Sequence, residues 1–313
     1  MNILNAEQTK ALLPYSALAA ELASVLRDKR AGTAHAPDRL SLPLQDGSVL
    51  LLMPAADEHL AITKLVTVHP ANAKHGIPVV QAEVVVMEAD TGRRLFMLDG
   101  AVVTARRTAA LSLLAARLLA YDRKGPLLIV GSGVQAQAHL EAFTEDLGVR
   151  EVYIMSRTKA HAERLAEYAR QLGITARTVT NPKTAMSKAT LIVTATTSHE
   201  PVISDYVQDH AFIAAVGAFT PEMAELPPEL VRRAKLYVDT MEGAKGGAGD
   251  LIRAGVDWSQ VAPLEDAVIL GPPNFEGTPV IFKSVGHALW DLAAARLAHK
   301  QLSNLRTFEP SNS

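Results

Sequence analysis

The amino-acid sequence predicts an α/β protein in which a doubly wound parallel sheet is inserted into an α+β domain. Three observations predict it. From Pro126 onward, short apolar runs at 127–130, 151–155, 175–179, 189–194, 211–216 and 235–238 alternate with helical patterns at 134–147, 159–172 and near Lys183. That alternation means a parallel sheet covered on both faces. Before Pro126, strand-like segments with turn signals between them dominate instead. The length of 313 residues suits two domains. The expected division assigns 1–115 plus 286–313 to the first domain and 116–285 to the second.

In the first domain, Asn5 followed by Gln8 reads as a capping box opening one helix over about 6–28. Segments 39–44, 48–53 and 60–68 read as strands. Segments 79–87 and 94–98 flank Asp90-Thr91-Gly92 as a hairpin. Thr104 is expected to cap a long Ala- and Leu-rich helix over about 105–121, with Arg106 and Arg107 in its first turn. A helix apolar on nearly every face is expected to be buried. A last helix of similar texture is expected over about 284–302.

Composition excludes several classes. Apolar residues make up 48% and charged residues 20%, a globular balance. Lys+Arg 31 against Asp+Glu 33 gives a net charge of −2, so no basic excess suits nucleic acid. No apolar run reaches the ~20 residues of a membrane helix. No secretory leader is legible, and with no cysteine the default location is cytoplasmic. Cysteine absence also excludes thiolate catalysis and Cys-ligated zinc. The ten histidines show no metal-ligand spacing, so no metal is expected.

The chemistry-bearing motif is Gly131-Ser132-Gly133-Val134-Gln135-Ala136, between an expected strand and an expected helix. The first glycine permits a tight turn and the second close approach to a pyrophosphate. The small third residue lets helix and strand pack, and the helix N-terminus presents N–H groups to phosphates. The pattern is thus a dinucleotide-binding (Rossmann) fingerprint, unless the glycines merely make a turn. At the end of the second strand, where an acidic residue would hold the ribose of NAD, the chain has Ser156-Arg157-Thr158. A guanidinium there pairs with a 2′-phosphate, which favours NADPH over NADH; the alternative is a solvent-facing loop arginine. Thr194, Ala195 and Thr196 end the fourth strand, where open α/β sheets bind ligands. Arg39, Lys64 and Arg107 are far apart in sequence. Singly each reads as a surface charge, and together as a carboxylate site, with Arg107 aided by helix N–H groups.

The chain resembles the ornithine cyclodeaminase/mu-crystallin family. The resemblance rests on Arg39, Lys64-Leu65-Val66, Pro70 and Asn72, Thr91-Gly92, Leu98-Asp99-Gly100, 104–110, 131–136, 156–158, Ala215-Val216-Gly217, Tyr237-Val238-Asp239, Gly249-Asp250 and 282–286, in that order. It implies a homodimer built through the non-Rossmann domain and a nicotinamide cofactor facing a small amino or imino acid. It implies that Arg39, Lys64 and Arg107 hold the substrate carboxylate; Lys64 is also expected to be catalytic, sharing a proton with the imine nitrogen. It places Thr108, Val216, Gly217, Lys283 and Ser284 beside the cofactor, with the motif residues above. The cyclodeaminases carry an Asp shortly after the Ala-Val-Gly strand that handles the substrate amine; this chain has Phe219 there. Losing that base points away from ornithine cyclisation and toward the family's reductases of the cyclic ketimines Δ1-pyrroline-2-carboxylate and Δ1-piperideine-2-carboxylate. Cyclodeamination, open-chain amino-acid dehydrogenation and crystallin-like binding without turnover stand as alternatives. His287 is unexpected for the family.

Overall fold

The computed structural model describes residues 1–271 and 277–307, with Ala73 and 305–307 by backbone alone. Residues 272–276 and 308–313, assigned from sequence to the second and first domains, lie outside the described residues. The chain divides into two compact units, Met1–Arg107 with His287–Ser313, and Thr108–Gly286. The first division falls ahead of the expected boundary at 115, inside a continuous helix.

The first unit opens with β1 (Asn2–Ile3), α1 (Ala6–Ala11) and α2 (Tyr15–Ala31). The capping box is present, Asn5 and Gln8 each accepting from the other's backbone N–H. The single helix expected over 6–28 is instead two, because Pro14 stands between them as the N-cap of α2. A proline there has no N–H to continue the ladder of α1 and is tolerated at a helix start.

Strands β2 (Leu40–Pro43), β3 (Val49–Ala56), β4 (Leu60–Val68), β5 (Val80–Glu88) and β6 (Arg94–Asp99) follow, then α3 (Gly100–Leu119). They form one sheet in the order β1-β6-β5-β4-β3-β2, antiparallel except for the β1–β6 pair. Along β4 the buried residues alternate, Leu60, Ile62, Lys64 and Val66 facing one side. The register sets Met53 and Val84 beside Lys64. The opposite face carries Leu50, Leu52, Leu65, Val85, Met87 and Met97, all half-buried or exposed.

Helix α3 begins earlier than expected. The Asp99 carboxylate, not the Thr104 hydroxyl, accepts the first-turn N–H of Val102, at 2.8 Å. Thr104 therefore lies inside the helix and Arg107 in its second turn. Residues 105–116 are all buried, as the apolar texture implied.

The second unit is built from β7 (Leu127–Val130), α4 (Val134–Asp146), β8 (Glu151–Met155), α5 (Lys159–Gln171), β9 (Thr175–Thr178), α6 (Pro182–Met186), β10 (Leu191–Thr194) and β11 (Phe212–Ala215). Then come α7 (Pro228–Arg233), β12 (Lys235–Val238), α8 (Met241–Gly247), α9 (Gly249–Ala254), β13 (Val261–Pro263), α10 (Leu264–Leu270) and β14 (Val280–Lys283). All eight strands are parallel, ordered β13-β12-β14-β11-β10-β7-β8-β9. Strands after β7 build outward in one direction and those from β10 in the other. The β7/β10 boundary is the switch point at which such sheets open a crevice for ligands.

The chain closes with α11 (Ala288–Thr307), which returns to the first unit and packs on α2, β3 and β4. It starts four residues later than expected, because 283–286 finish β14 and its exit.

Buried His139 of α4 ties that helix to α3. Its Nδ1 is 2.7 Å from the Gln135 carbonyl and its Nε2 2.9 Å from the Ser112 hydroxyl. A carbonyl only accepts, so Nδ1 carries the proton and Nε2 accepts from Ser112. Burial pushes the imidazole down to about 4, outweighing the Gln135 bond, which favours the charged form. The unfolded chain then takes up a proton below pH 6.5 that the folded chain refuses until about 4. The stability is fully present above 6.5 and is lost as pH falls toward 4. The expected loss is on the order of 2–3 kcal/mol between pH 7 and 4.5. Urea unfolding of the wild type and His139→Gln at both pH values checks this; an equal loss in the variant would remove His139 as its source.

Candidate active site

The second unit's crevice is built where β7 and β10 diverge. Gly131 leaves β7 with φ +124, a conformation L side chains rarely adopt, and a Cβ there would lie 2.4 Å from the Ala195 carbonyl oxygen. Only glycine lets the two strand ends meet so closely. Gly133 is the N-cap of α4 and offers no side-chain bond, so no cap side chain covers the start of the helix. Ala136 is fully buried on the sheet side of the helix.

A cavity of about 780 Å³ opens at this point, lined by Gly131, Ser132 and Gly133, by Ser156, Arg157, Thr158, Lys159 and His161, and by 195–198. The Ser132 and Ser156 hydroxyls hydrogen-bond at 2.8 Å and join the two walls. The cradle that a Cβ would fill, the uncapped helix start and the cavity together fit a dinucleotide. Arg157 and Thr158 are exposed on its rim, and no carboxylate lines it among the described residues.

Behind the crevice lies a buried polar network. The Glu225 carboxylate accepts from the Thr196 N–H at 2.7 Å, the Thr196 hydroxyl at 2.9 Å, the Gly217 N–H at 2.7 Å and the Thr194 hydroxyl at 3.1 Å. One side chain thereby ties the loops after β10 and β11 together, and a Cβ on Gly217 would lie 2.2 Å from the Thr196 carbonyl. Asp250 accepts from the Glu225 and Leu226 N–H groups and pairs with Lys283 Nζ at 2.7 Å. Burial pushes the Glu225 carboxyl up, opposed by the nearby Lys283 charge. Lys283 is 0% exposed and Thr194 is equally enclosed. The polar ends of these two residues, expected beside the cofactor, are turned to Asp250 and Glu225. Ser284 likewise donates to Asp239 at 2.8 Å, and Asp239 also accepts from the Val285 and Gly286 N–H groups. Val216 and Gly217 are half-buried on the loop after β11. Thr108 is buried on α3.

The first unit brings together two of its three expected cations. Lys64 is 2% exposed and Arg107 is 5% exposed, so neither is the surface charge that each suggested singly. Between them stands Asp291 of α11, 0% exposed, with Oδ2 2.8 Å from Lys64 Nζ and Oδ1 3.4 Å from Arg107 Nε. Lys64 also donates to the Thr104 hydroxyl at 3.3 Å. Arg39, exposed one residue ahead of β2, is near enough for its charge to act on Lys64. Burial pushes the Lys64 ammonium down, with Arg107 and Arg39 adding to the effect and Asp291 opposing it. The helix N–H groups expected beside Arg107 are not free, because Arg107 sits in the second turn of α3. Arg106 points elsewhere: its Nε donates to the Leu13 carbonyl at 2.6 Å and its guanidinium lies 3.7 Å from the centre of the Tyr15 ring.

Over residues 1–305 the chain matches the family model of the ornithine cyclodeaminases and mu-crystallins. The chain belongs to the ornithine cyclodeaminase/mu-crystallin family. It is 41% identical over 305 residues to Delta(1)-pyrroline-2-carboxylate reductase 1 of Burkholderia multivorans, covering 96% of each chain. It is 39% identical, covering 97% of each, to the Delta(1)-pyrroline-2-carboxylate/Delta(1)-piperideine-2-carboxylate reductase of Azospirillum brasilense. Among solved structures, the Thermococcus litoralis Delta(1)-pyrroline-2-carboxylate reductase in complex with NADH and L-proline superposes with a TM-score of 0.90, at 28% identity over 98% of each chain.

In this ornithine cyclodeaminase/mu-crystallin family member, Phe219 is 44% exposed on the loop after β11, where the cyclodeaminase Asp was expected. His287 caps α11: its Nδ1 accepts from the Leu289 N–H at 3.3 Å and its ring lies against Trp290, with ring centres 5.8 Å apart. Sequence reasoning missed Asp291 and Glu225. Gly249-Asp250 and Tyr237-Val238-Asp239 were legible as family blocks, without a role. Nothing in the sequence ties Asp291 to Lys64, which is 227 positions away on another element.

Proposed function

We propose that the chain reduces the cyclic ketimines Δ1-pyrroline-2-carboxylate and Δ1-piperideine-2-carboxylate to L-proline and L-pipecolate, with NADPH preferred over NADH. The observation that carries the proposal is the buried cluster of Lys64 and Arg107 around a single carboxylate. Two cations against one anion leave a net positive charge that a substrate carboxylate neutralises. Arg107 offers a planar donor fork, Arg39 adds charge from the exposed side, and Lys64 a point charge. Holding the anion from several sides orients the attached C=N bond, and positioning is a large part of such catalysis. A bound nicotinamide supplies the hydride. The imine nitrogen needs a proton, and Lys64 is the candidate donor. Its ammonium is already pushed down by burial and by Arg107 and Arg39, which eases release of the proton. Phe219, exposed on the loop after β11, brings no carboxylate to act on a distal amine.

The NADPH preference rests on Arg157 and Lys159 at a carboxylate-free cavity wall. Purified protein should oxidise NADPH with both ketimines. Arg157→Ala should narrow the NADPH-over-NADH ratio by about tenfold, the effect of roughly one charge-assisted contact. Ammonia release from ornithine with neither ketimine reduced would sink the reductase reading, and an unchanged cofactor ratio would sink the role of Arg157. We also propose a homodimer built through the first unit. Its sheet leaves the apolar face of Leu50, Leu52, Leu65, Val85, Met87 and Met97 beside an edge strand with Leu40 and Leu42 exposed. Sedimentation as a monomer at micromolar concentration would refute this.

A further inference from the structure

We propose that Asp291 is a positioning residue of this site: its carboxylate spaces the Lys64 ammonium and the Arg107 guanidinium and keeps Lys64 charged until substrate arrives. The inference rests on the reading that Lys64 and Arg107 receive the substrate. An acidic residue in the first turn of a helix ordinarily serves the helix itself, and Asp291 stands in the first turn of α11. Its geometry is different. Neither carboxylate oxygen makes a hydrogen bond of ordinary geometry, while each faces a separate buried cation. The two oxygens thus stand between the two cations, from a position sealed from water.

The charges around Lys64 show what Asp291 offsets. From α3 come Arg107 and the Thr104 hydroxyl, from the segment before β2 comes Arg39, and from β3 and β5 come the uncharged Met53 and Val84. Burial and both arginines drive Lys64 toward the neutral amine, and Asp291 is the opposing charge. When a substrate carboxylate binds, it becomes a second anion beside the same pair. The resident carboxylate therefore holds the site ready in the free protein, which spares the binding step the cost of assembling two mutually repelling cations.

The test uses the full chain with ¹³Cε-labelled lysine, the Lys64 signal being assigned by its loss in Lys64→Gln. In Asp291→Asn the Lys64 titration midpoint should fall by at least one pH unit. The alkaline limb of kcat/KM should move with it, and KM should rise at least tenfold while the NADPH dissociation constant is unchanged. A midpoint left in place, with activity reduced equally at every pH, would mean a merely structural role and overturn the proposal. If Asp291→Asn does not fold, Lys64→Met in the same background decides. Recovery of the thermal midpoint supports charge pairing, and a double variant as unstable as the single one overturns it. The titration and the stability cycle need no ketimine turnover, so a wrong substrate would not be mistaken for a wrong role of Asp291.

Discussion

Gly131→Ala should abolish measurable dinucleotide binding at micromolar concentration, a loss of at least about 100-fold, or close to 3 kcal/mol. The methyl group would meet the Ala195 carbonyl at 2.4 Å, against backbone rather than a movable side chain, and φ +124 is closed to alanine. Either the end of β7 or the end of β10 must shift, and both form the crevice. NADPH fluorescence titration reads the loss. Gly133→Ala is the informative contrast. Its Cβ would meet nothing within 4 Å, and φ −86 suits alanine. That variant should keep its unfolding midpoint and still bind weakly, because the methyl group stands where a pyrophosphate must approach the backbone. Normal binding by Gly133→Ala would show that phosphates do not seat at the start of α4.

Arg107→Ala should lower kcat/KM for a ketimine by about 10²–10³-fold, equivalent to roughly 3–4 kcal/mol. The guanidinium is buried and already oriented by Asp291, so its loss removes a desolvated, charge-assisted contact and not a screened surface pair. The carboxylate is bound in ground and transition states alike, so KM should rise. Misorientation of the C=N bond should lower kcat as well. Arg107→Lys should recover little, because an ammonium lacks the planar fork. The neighbouring Arg106 separates site from scaffold. Anchored on the Leu13 carbonyl and the Tyr15 ring, its replacement by alanine should lower stability by about 1–2 kcal/mol and leave KM unchanged. Wild-type kinetics in Arg107→Ala would take that residue out of the site.

Phe219, 44% exposed, brings no carboxylate to the position after β11. Glu225, the acid in the following segment, is buried with its oxygens committed to Thr194, Thr196 and Gly217. That carboxylate organises the crevice from behind and is not available as a base toward a substrate amine.

Much of this was written locally in the chain. The parallel sheet follows from apolar runs alternating with helical periodicity. The crevice follows from two glycines and an alanine at fixed spacing between a strand and a helix, because the backbone conformation those residues permit is a property of a few consecutive positions. The start of α1 was legible in Asn5 and Gln8 for the same reason. Where two local signals competed, the better-placed one prevailed: Asp99 outranks Thr104 as the cap of α3, and Pro14 divides a helix that periodicity alone would have joined.

What only the tertiary structure decided is the charge arithmetic of buried groups. Whether Lys64 is a surface lysine or a sealed cation depends on which face of β4 it occupies and on what α3 and α11 lay over that face. Asp291 has no meaning as a site residue until α11 returns to the first unit and delivers it to Lys64 and Arg107. In the same way, only the fold shows that buried Lys283 and Thr194 take Asp250 and Glu225 as their partners. A desolvated charge takes its partner from whatever the fold places within a few ångströms, and sequence separation carries no information about that distance.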